Sequence, residues 1–127
     1  MSKSYFYIVI DDDKINNLVC ESVIRKVQEN NHVVSFLRAE EALNYLSNTN
    51  NNHPDVIFLD INMPEMDGWE FLERFLPIRK SNTYIFMLSS SINQADFDKA
   101  KKYAEVLDYV VKPFSKEKLM KAIEMLP

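Results

Sequence analysis

The sequence predicts an α/β fold in which five parallel strands alternate with five helices. Short runs of branched and aromatic residues lack polar alternation, which is typical of strands buried on both faces. Segments with apolar residues at helical spacing separate these runs, and the connections are short. A charged residue such as Asp60, at the end of a run, sits where open α/β sheets bind ligands. These features favour a doubly wound, flavodoxin-like (βα)5 sandwich with a parallel sheet in the order 2-1-3-4-5.

The composition indicates one domain spanning residues 1–127. Hydrophobic residues make up 46% of the chain, and the net charge of −4 argues against nucleic acid as a partner. The single cysteine, Cys20, cannot form an internal disulfide, so we expect a reduced, cytoplasmic setting. The apolar segment Tyr5–Ile10 is too short for a signal peptide or a membrane span, so no membrane is expected as a partner.

Each predicted strand is a short apolar run, and four of the five end in residues that could take part in chemistry. Acids follow the first and third runs, serines follow the fourth, and a lysine follows the fifth. In chain order, the strands are predicted at Tyr5–Ile10, Val33–Leu37, Val56–Leu59, Tyr84–Leu88 and Val106–Val111. Because the runs are apolar throughout, we expect the sheet to lie between two layers of helices.

The helices are predicted from apolar stripes and from capping residues. In chain order, they are expected over residues 14–28, 39–47, 68–76 and 93–103 and after Ser115. The predicted N-caps are Asp13, Asp67, Asn93 and Ser115, with Glu70 and Asp96 at the capping-box position. The fourth helix has a thin apolar face, so we expect it to be held less tightly. Gly68, the only glycine, indicates a backbone requirement at its position.

Polar residues at the carboxyl ends of the strands should meet at one edge of the sheet. They are Asp11 and Asp12 after strand 1, Asp60 after strand 3, Ser89 after strand 4 and Lys112 after strand 5. Two carboxylates about 4 Å apart repel by roughly 4 kcal/mol at an effective dielectric of about 20. A hard divalent cation such as Mg²⁺ relieves that repulsion. With a metal, an aspartate can accept a phosphoryl group, which a lysine and a serine can then contact.

The chain resembles the receiver domain of two-component response regulators from Tyr5 to Leu126. Four motifs support the resemblance, and together they are specific although each alone is weak. They are Asp11-Asp12 after strand 1, LDINMPEMDG around Asp60, MLSSS with Ser89, and DYVVKPF with Lys112. The resemblance implies a stand-alone switch protein similar to a chemotaxis regulator.

The resemblance also implies a role for each residue of the acidic edge. Asp60 corresponds to the phospho-accepting nucleophile of the family. Asp12 and Asp60 correspond to direct Mg²⁺ ligands, the backbone carbonyl of Asn62 to a third, and Asp11 to a ligand acting partly through water. Lys112 corresponds to the base that contacts the phosphoryl group, and its bond to Pro113 is expected to be cis, which is uncommon among X–Pro bonds.

The remaining implied roles concern switching. Ser89 corresponds to the hydroxyl that moves toward the phosphoryl group, and Tyr109 to the aromatic side chain that turns inward when Ser89 moves. Asn62 and Ser91 occupy positions that tune dephosphorylation. The chain departs from the family at Tyr103–Val106, where the family often has a glycine before the fifth strand. The connection there must therefore be made without a glycine cap.

The implied function is a phosphorylation-activated signalling switch rather than an enzyme with a separate substrate. A sensor histidine kinase or a histidine phosphotransfer protein would donate the phosphoryl group. The face formed by helix 4, strand 5 and helix 5 would then bind an output protein, and the switch would be a monomer or a weak dimer.

Three alternatives remain at this stage. Asp11 and Asp13 fit the Asp-x-Asp motif of haloacid-dehalogenase-like phosphatases, but that interpretation leaves Asp60 without a role. A flavodoxin-like cofactor binder would need a phosphate-binding loop after strand 1, where this chain has three acids. A degenerate receiver working without phosphate is disfavoured by the complete set of acids, hydroxyl and lysine.

Overall fold

The computed structural model describes residues 4–27, 30–80 and 82–127, in which strands and helices alternate. The strands are β1 (Phe6–Ile10), β2 (His32–Phe36), β3 (Val56–Asp60), β4 (Tyr84–Ser89) and β5 (Val106–Val111). The helices are α1 (Lys14–Val27), α2 (Ala39–Ser47), α3 (Gly68–Phe75), α4 (Gln94–Ala100) and α5 (Lys116–Met125). A 3-10 turn at Leu76–Ile78 follows α3.

The strands form one parallel sheet in the order β2-β1-β3-β4-β5, which confirms the predicted topology. Alternate residues of each strand enter two separate apolar clusters, one on each side of the sheet. Ile57 packs in a cluster with Phe71 of α3, whereas Phe58 packs in a cluster with Cys20 of α1 and Leu119 of α5. Helices therefore cover both faces. Within the described ranges, no helix has the length and apolar character needed to cross a membrane.

Several elements end at different residues from those predicted. The predicted end of α1, Gln28, lies outside the described residues. Pro77 falls in the 3-10 turn, so α3 ends at Phe75 rather than at residue 76. Helix α4 ends at Ala100 rather than at residue 103, because the next amides turn back more tightly. The Tyr103 N–H donates to the Ala100 carbonyl at 3.2 Å, an i to i−3 bond that closes the helix.

The connection from α4 to β5 needs no glycine. After the turn that closes α4, the Val106 N–H donates to the Tyr103 carbonyl at 3.1 Å in a second turn. Glu65, with φ of 70°, is the one residue in the described ranges that has a positive φ. The connection therefore uses no left-handed residue, and the absence of the glycine that is common in the family imposes no backbone strain there.

The four predicted N-caps are confirmed. The side chain of each accepts a backbone N–H from the first turn of its helix. The pairs are Asp13 with Ile15 (2.9 Å), Asp67 with Glu70 (2.8 Å), Asn93 with Asp96 (3.2 Å) and Ser115 with Lys118 (3.3 Å). These caps fix where each helix leaves the carboxyl edge of the sheet, which is the edge that bears the acids.

Candidate functional site

Two neighbouring strands bring three carboxylates together. In the β1–β3 pairing Ile10 lies opposite Leu59, so Asp11 and Asp60, the next residues along each strand, come side by side. Ligand oxygens of Asp11, Asp12 and Asp60 all lie within 4.8 Å of one another. Asp11 and Asp60 are 0% and 4% exposed, whereas Asp12 is exposed. The predicted convergence of acids at the topological switch point is confirmed.

Lys112 lies against the two buried acids. Its Nζ is 2.8 Å from Asp11 Oδ2 and 3.4 Å from Asp60 Oδ1. The Lys112 N–H donates to the Ser89 carbonyl at 2.8 Å, which attaches the start of the β5–α5 connection to the end of β4. The bond from Lys112 to Pro113 is cis, as the family resemblance implies. One ammonium group thus faces two carboxylates that are largely removed from water.

Burial and neighbouring charges shift the pKa values of Asp60 and Lys112, and both pKa values are raised. Burial, and then the Asp11 carboxylate, raise the pKa of Asp60 to about 7, although Lys112 opposes the shift. Burial alone would lower the pKa of Lys112. The hydrogen bond and charge of Asp11, together with Asp60, outweigh that effect and raise the pKa of Lys112 above its usual value. The site therefore holds more negative charge than its lysine neutralises.

The acids fit a hard divalent cation. Asp11 Oδ1 accepts the Asp13 N–H at 2.9 Å, whereas Asp11 Oδ2 is buried and faces the Lys112 ammonium at 2.8 Å. Mg²⁺ prefers carboxylate oxygens as ligands, and here the negative charge of the three carboxylates exceeds the single positive charge of Lys112. Asp11, Asp12 and Asp60 would hold such an ion, and its charge would relieve their repulsion. Asn62, the other predicted ligand, lies exposed in the loop after β3.

The predicted switch residues are linked to one another. Ser89 ends β4 and is 1% exposed, and its Oγ accepts the Ser91 N–H at 3.3 Å. The Tyr109 hydroxyl donates to the Ser91 carbonyl at 2.9 Å. Tyr109 is 8% exposed, so its side chain already points inward in this structure. Ser91 therefore contacts both Ser89 and Tyr109 through its main chain.

Gly68 is needed for a close approach of two backbones. A Cβ at this position would lie 2.5 Å from the Asp60 carbonyl oxygen and 2.9 Å from Ile61 Cα. The Gly68 N–H donates to the Ile61 carbonyl at 2.8 Å. The expected backbone requirement is thus confirmed, although its cause is contact with the end of β3 and not a positive φ.

One residue near the acids, Asn17, has a role that the sequence patterns did not reveal. Asn17 of α1 is 3% exposed, and its Nδ2 donates to the Asp11 carbonyl at 2.9 Å, which holds the main chain of the acidic segment. A buried amide within an amphipathic helix was the available signal. Asp13 uses its carboxylate to cap α1 and does not belong to the acid cluster. This arrangement does not favour the phosphatase interpretation, which required Asp11 and Asp13 to act together.

The fold and the acidic site define a class of protein. Residues 7–124 match the response regulator receiver domain family, and the chain belongs to that family. The family belongs to two-component signalling, and its members are phospho-acceptors rather than classical enzymes. Membership also implies a histidine kinase as partner.

Individual relatives agree with this assignment. The chain is 37% identical to protein PilG of Pseudomonas aeruginosa over 123 residues, which cover 92% of this chain and 83% of that protein. It is 27% identical to chemotaxis protein CheY of Listeria monocytogenes, covering 92% of this chain and 93% of that protein. Among solved structures, a two-component response regulator from Cytophaga hutchinsonii matches with a TM-score of 0.87 and 29% identity, covering 98% of each chain. The family resemblance is therefore confirmed.

Proposed function

We propose that Asp60 accepts a phosphoryl group from a sensor histidine kinase or a histidine phosphotransfer protein, with Mg²⁺ as cofactor. One observation supports this above the others. The Asp60 carboxylate is buried at the end of β3, within 4.8 Å of the oxygens of two other acids and 3.4 Å from Lys112 Nζ. Such a site concentrates the groups that phosphoryl transfer needs for positioning and charge neutralisation.

The acceptor residue and its neighbours have distinct tasks in this proposal. An Asp60 carboxylate oxygen attacks phosphorus while the bond from phosphorus to the donor imidazole nitrogen breaks, so the imidazole leaves with the bonding electrons. The product is an acyl phosphate on Asp60, which water later hydrolyses. Mg²⁺ held by Asp11, Asp12, Asp60 and the Asn62 carbonyl would neutralise charge on the phosphoryl oxygens. Lys112 presents its ammonium group 3.4 Å from the acceptor carboxylate.

The acyl phosphate then biases an equilibrium between two arrangements of the molecule. We propose that the Ser89 hydroxyl turns from the Ser91 N–H to the phosphoryl group. The inward position of Tyr109 is the arrangement that this movement favours. The output surface is the face of α4, β5 and α5, on which Tyr109 lies. Asn62 and Ser91 occupy the positions that tune dephosphorylation in the family, and we propose that they set the rate of hydrolysis.

The wider setting follows from the same proposal. Residues 1–127 act as a single receiver unit in the cytoplasm, as a monomer or a weak dimer. The output partner is a protein rather than nucleic acid or membrane, in keeping with the net charge of −4. The receiver promotes its own phosphorylation and dephosphorylation, so a small phosphodonor can replace the kinase in a test.

The direct test is intact mass after incubation with acetyl phosphate, with and without Mg²⁺. We expect a Mg²⁺-dependent gain of a single phosphoryl group in the wild type and no gain in Asp60→Asn. Asp98→Asn is a matched control because Asp98 is an exposed acid on α4 that does not belong to the acid cluster. This control should be labelled as fast as the wild type.

A short-lived acyl phosphate could escape the mass measurement. Binding of beryllofluoride with Mg²⁺, followed by NMR, distinguishes a short lifetime from an inactive site because the complex does not hydrolyse. Failure of the wild type both to be labelled and to bind beryllofluoride would rule out the proposed phosphorylation switch.

A further inference from the structure

Helix α4 has few attachments to the rest of the protein. Of its seven residues, only Ala100 is buried. Toward β5, the ring of Phe97 lies 5.8 Å from that of Tyr109. Toward α3, three contacts of α4 and of the turn after it involve one side chain, Trp69, which is the only tryptophan in the chain.

Trp69 contacts both ends of α4. Its Nε1–H donates to Asp96 Oδ1 at 3.0 Å, in the first turn of the helix. The Lys99 ammonium lies 4.9 Å from the centroid of the Trp69 ring, in the last turn. The ring of Tyr103, in the turn after the helix, stacks on Trp69 at 6.1 Å with an interplanar angle of 19°. The indole is 7% exposed, so these contacts are partly shielded from water.

The backbone beside Trp69 is fixed to the end of β3. Its neighbour Gly68 lies so close to Asp60 that a Cβ would be 2.5 Å from the Asp60 carbonyl oxygen. The Gly68 N–H also donates to the Ile61 carbonyl at 2.8 Å. A displacement of the main chain at Asp60 therefore shifts the start of α3, and Trp69 with it.

We propose that Trp69 is a positioning residue that couples the state of Asp60 to the position of α4. The coupling passes through the Trp69–Asp96 hydrogen bond and is separate from the Ser89–Tyr109 link on the other side of the helix. The inference rests on the proposed function, because it requires that Asp60 change state. If the Trp69–Asp96 contact served packing alone, its loss would lower stability but would not change how α4 responds to the state of Asp60.

The test compares amide hydrogen exchange in residues 94–100 with and without beryllofluoride and Mg²⁺. Trp69→Phe keeps an aromatic ring but has no N–H to donate, and Asp96→Ala removes the acceptor from the other side. Asp96→Asn retains an acceptor oxygen and tests for rescue. Asp98→Ala is the matched control, since it removes an exposed acid from the same helix. Fluorescence of Trp69 is followed in parallel in the proteins that retain it.

Beryllofluoride should change the exchange rate of α4 in the wild type about fivefold or more, within the range typical of coupling between two sites. The change should fall below about twofold in Trp69→Phe and in Asp96→Ala, and persist in Asp96→Asn and Asp98→Ala. Trp69 emission should still respond to beryllofluoride in Asp96→Ala, because the connection from Asp60 to Trp69 remains intact there.

Two results would overturn the inference alone. One is an α4 response in both Trp69→Phe and Asp96→Ala that equals that of the wild type. The other is the absence of any α4 response in wild-type protein whose Asp60 is labelled by acetyl phosphate. Labelling of each variant also shows that it is folded. If the wild type is neither labelled nor bound by beryllofluoride, the proposed function itself fails, and this inference with it.

Discussion

Among single residues, Gly68 has the strictest steric requirement. An added methyl group would meet backbone atoms of Asp60 and Ile61 at 2.5 and 2.9 Å, and neither can rotate away as a side chain could. We expect Gly68→Ala to lower the free energy of unfolding by about 1–3 kcal/mol, as overpacking does elsewhere. It should also slow labelling of Asp60 by acetyl phosphate, because the acceptor must shift. Urea denaturation and labelling rates measure the two effects.

The control for Gly68→Ala is Lys116→Ala. Lys116 is the first residue of α5, as Gly68 is of α3, but its side chain is exposed. It should leave stability almost unchanged. A Gly68→Ala variant as stable as the wild type would show that α3 can retreat from β3, and would weaken the rigid connection to Trp69.

Cys20 provides a prediction about pH. Burial, and then the Asp11 carboxylate, raise the pKa of its thiol to about 12, above the value of about 8.5 for a free cysteine. Between these two pKa values the thiol keeps its proton in the folded state and loses it in the unfolded state. Cys20 therefore lowers the free energy of unfolding as the pH rises from about 8.5 toward 12. The reactive thiolate is also scarce in the folded protein.

Alkylation by iodoacetamide measures this effect directly. At a pH of about 9 we expect folded protein to be labelled at Cys20 at least about tenfold more slowly than protein unfolded in urea. The urea sample is the internal control for reagent activity. Rapid labelling of the folded protein would mean that α1 opens readily from the sheet.

At the scale of elements, the β3–α3 loop contains a strained residue. Glu65 has φ of 70°, a region that costs a residue with a side chain about 1–2 kcal/mol. Its carboxylate pairs with Arg38 at 2.8 Å, but both side chains are largely exposed, and such pairs contribute only about 0–1 kcal/mol. Glycine relieves the strain but adds about 0.5–1 kcal/mol of unfolded-state entropy. We expect Glu65→Gly to raise the free energy of unfolding by up to about 1 kcal/mol, measured in urea.

Arg38→Ala is the control, because it removes the ion pair with Glu65, together with an exposed pair with Glu40 at 3.5 Å, and leaves the strained backbone in place. It should change stability by less than about 0.5 kcal/mol. If Glu65→Gly destabilises the protein as much as Arg38→Ala, the ion pair dominates and the backbone strain at Glu65 is small.

The elements also show what sequence can and cannot predict. The strands and the four N-caps were predictable because each depends on neighbours within a few residues, such as Asn93 and the Asp96 N–H. The end of α4 at Ala100 was not predictable, because the apolar residues keep their helical spacing beyond Ala100 although the backbone there leaves the helix for a turn. The Trp69–Asp96 bond joins residues 27 positions apart, and no local pattern reports it. Asp96 looked like a capping-box residue, yet its side chain binds the indole.

For the molecule as a whole, the topology decides where charge accumulates. Asp11 and Asp60 are far apart in the chain, but the β1–β3 pairing makes them neighbours. This convergence was predictable because parallel strands share one carboxyl edge. The contact distances of Lys112 were not predictable, since they depend on how β5 and its following loop sit beside β4. The fold thus assembles a site whose acids repel one another when no cation is bound.

That repulsion leads to a prediction about the stability of the whole domain. Three acids lie within 4.8 Å of one another, and two carboxylates about 4 Å apart repel by roughly 4 kcal/mol at an effective dielectric of about 20. Lys112, and the solvent around the exposed Asp12, reduce this repulsion. In metal-free buffer, Asp60→Asn should therefore raise the free energy of unfolding by on the order of 1 kcal/mol or more. Saturating Mg²⁺ should narrow or reverse this difference in stability between the two proteins, because the cation binds the folded wild type more tightly than it binds folded Asp60→Asn. Urea denaturation with EDTA or Mg²⁺ measures both.

Asp12→Asn distinguishes repulsion from a general effect of removing charge. Asp12 is exposed, so its loss should stabilise metal-free protein less than the loss of Asp60, while it should still weaken stabilisation by Mg²⁺. If Asp60→Asn instead destabilises metal-free protein, its ion pair with Lys112 at 3.4 Å outweighs the repulsion from Asp11 and Asp12. The acidic edge would then stabilise the fold without a cation, and Mg²⁺ would have to displace Lys112 to bind.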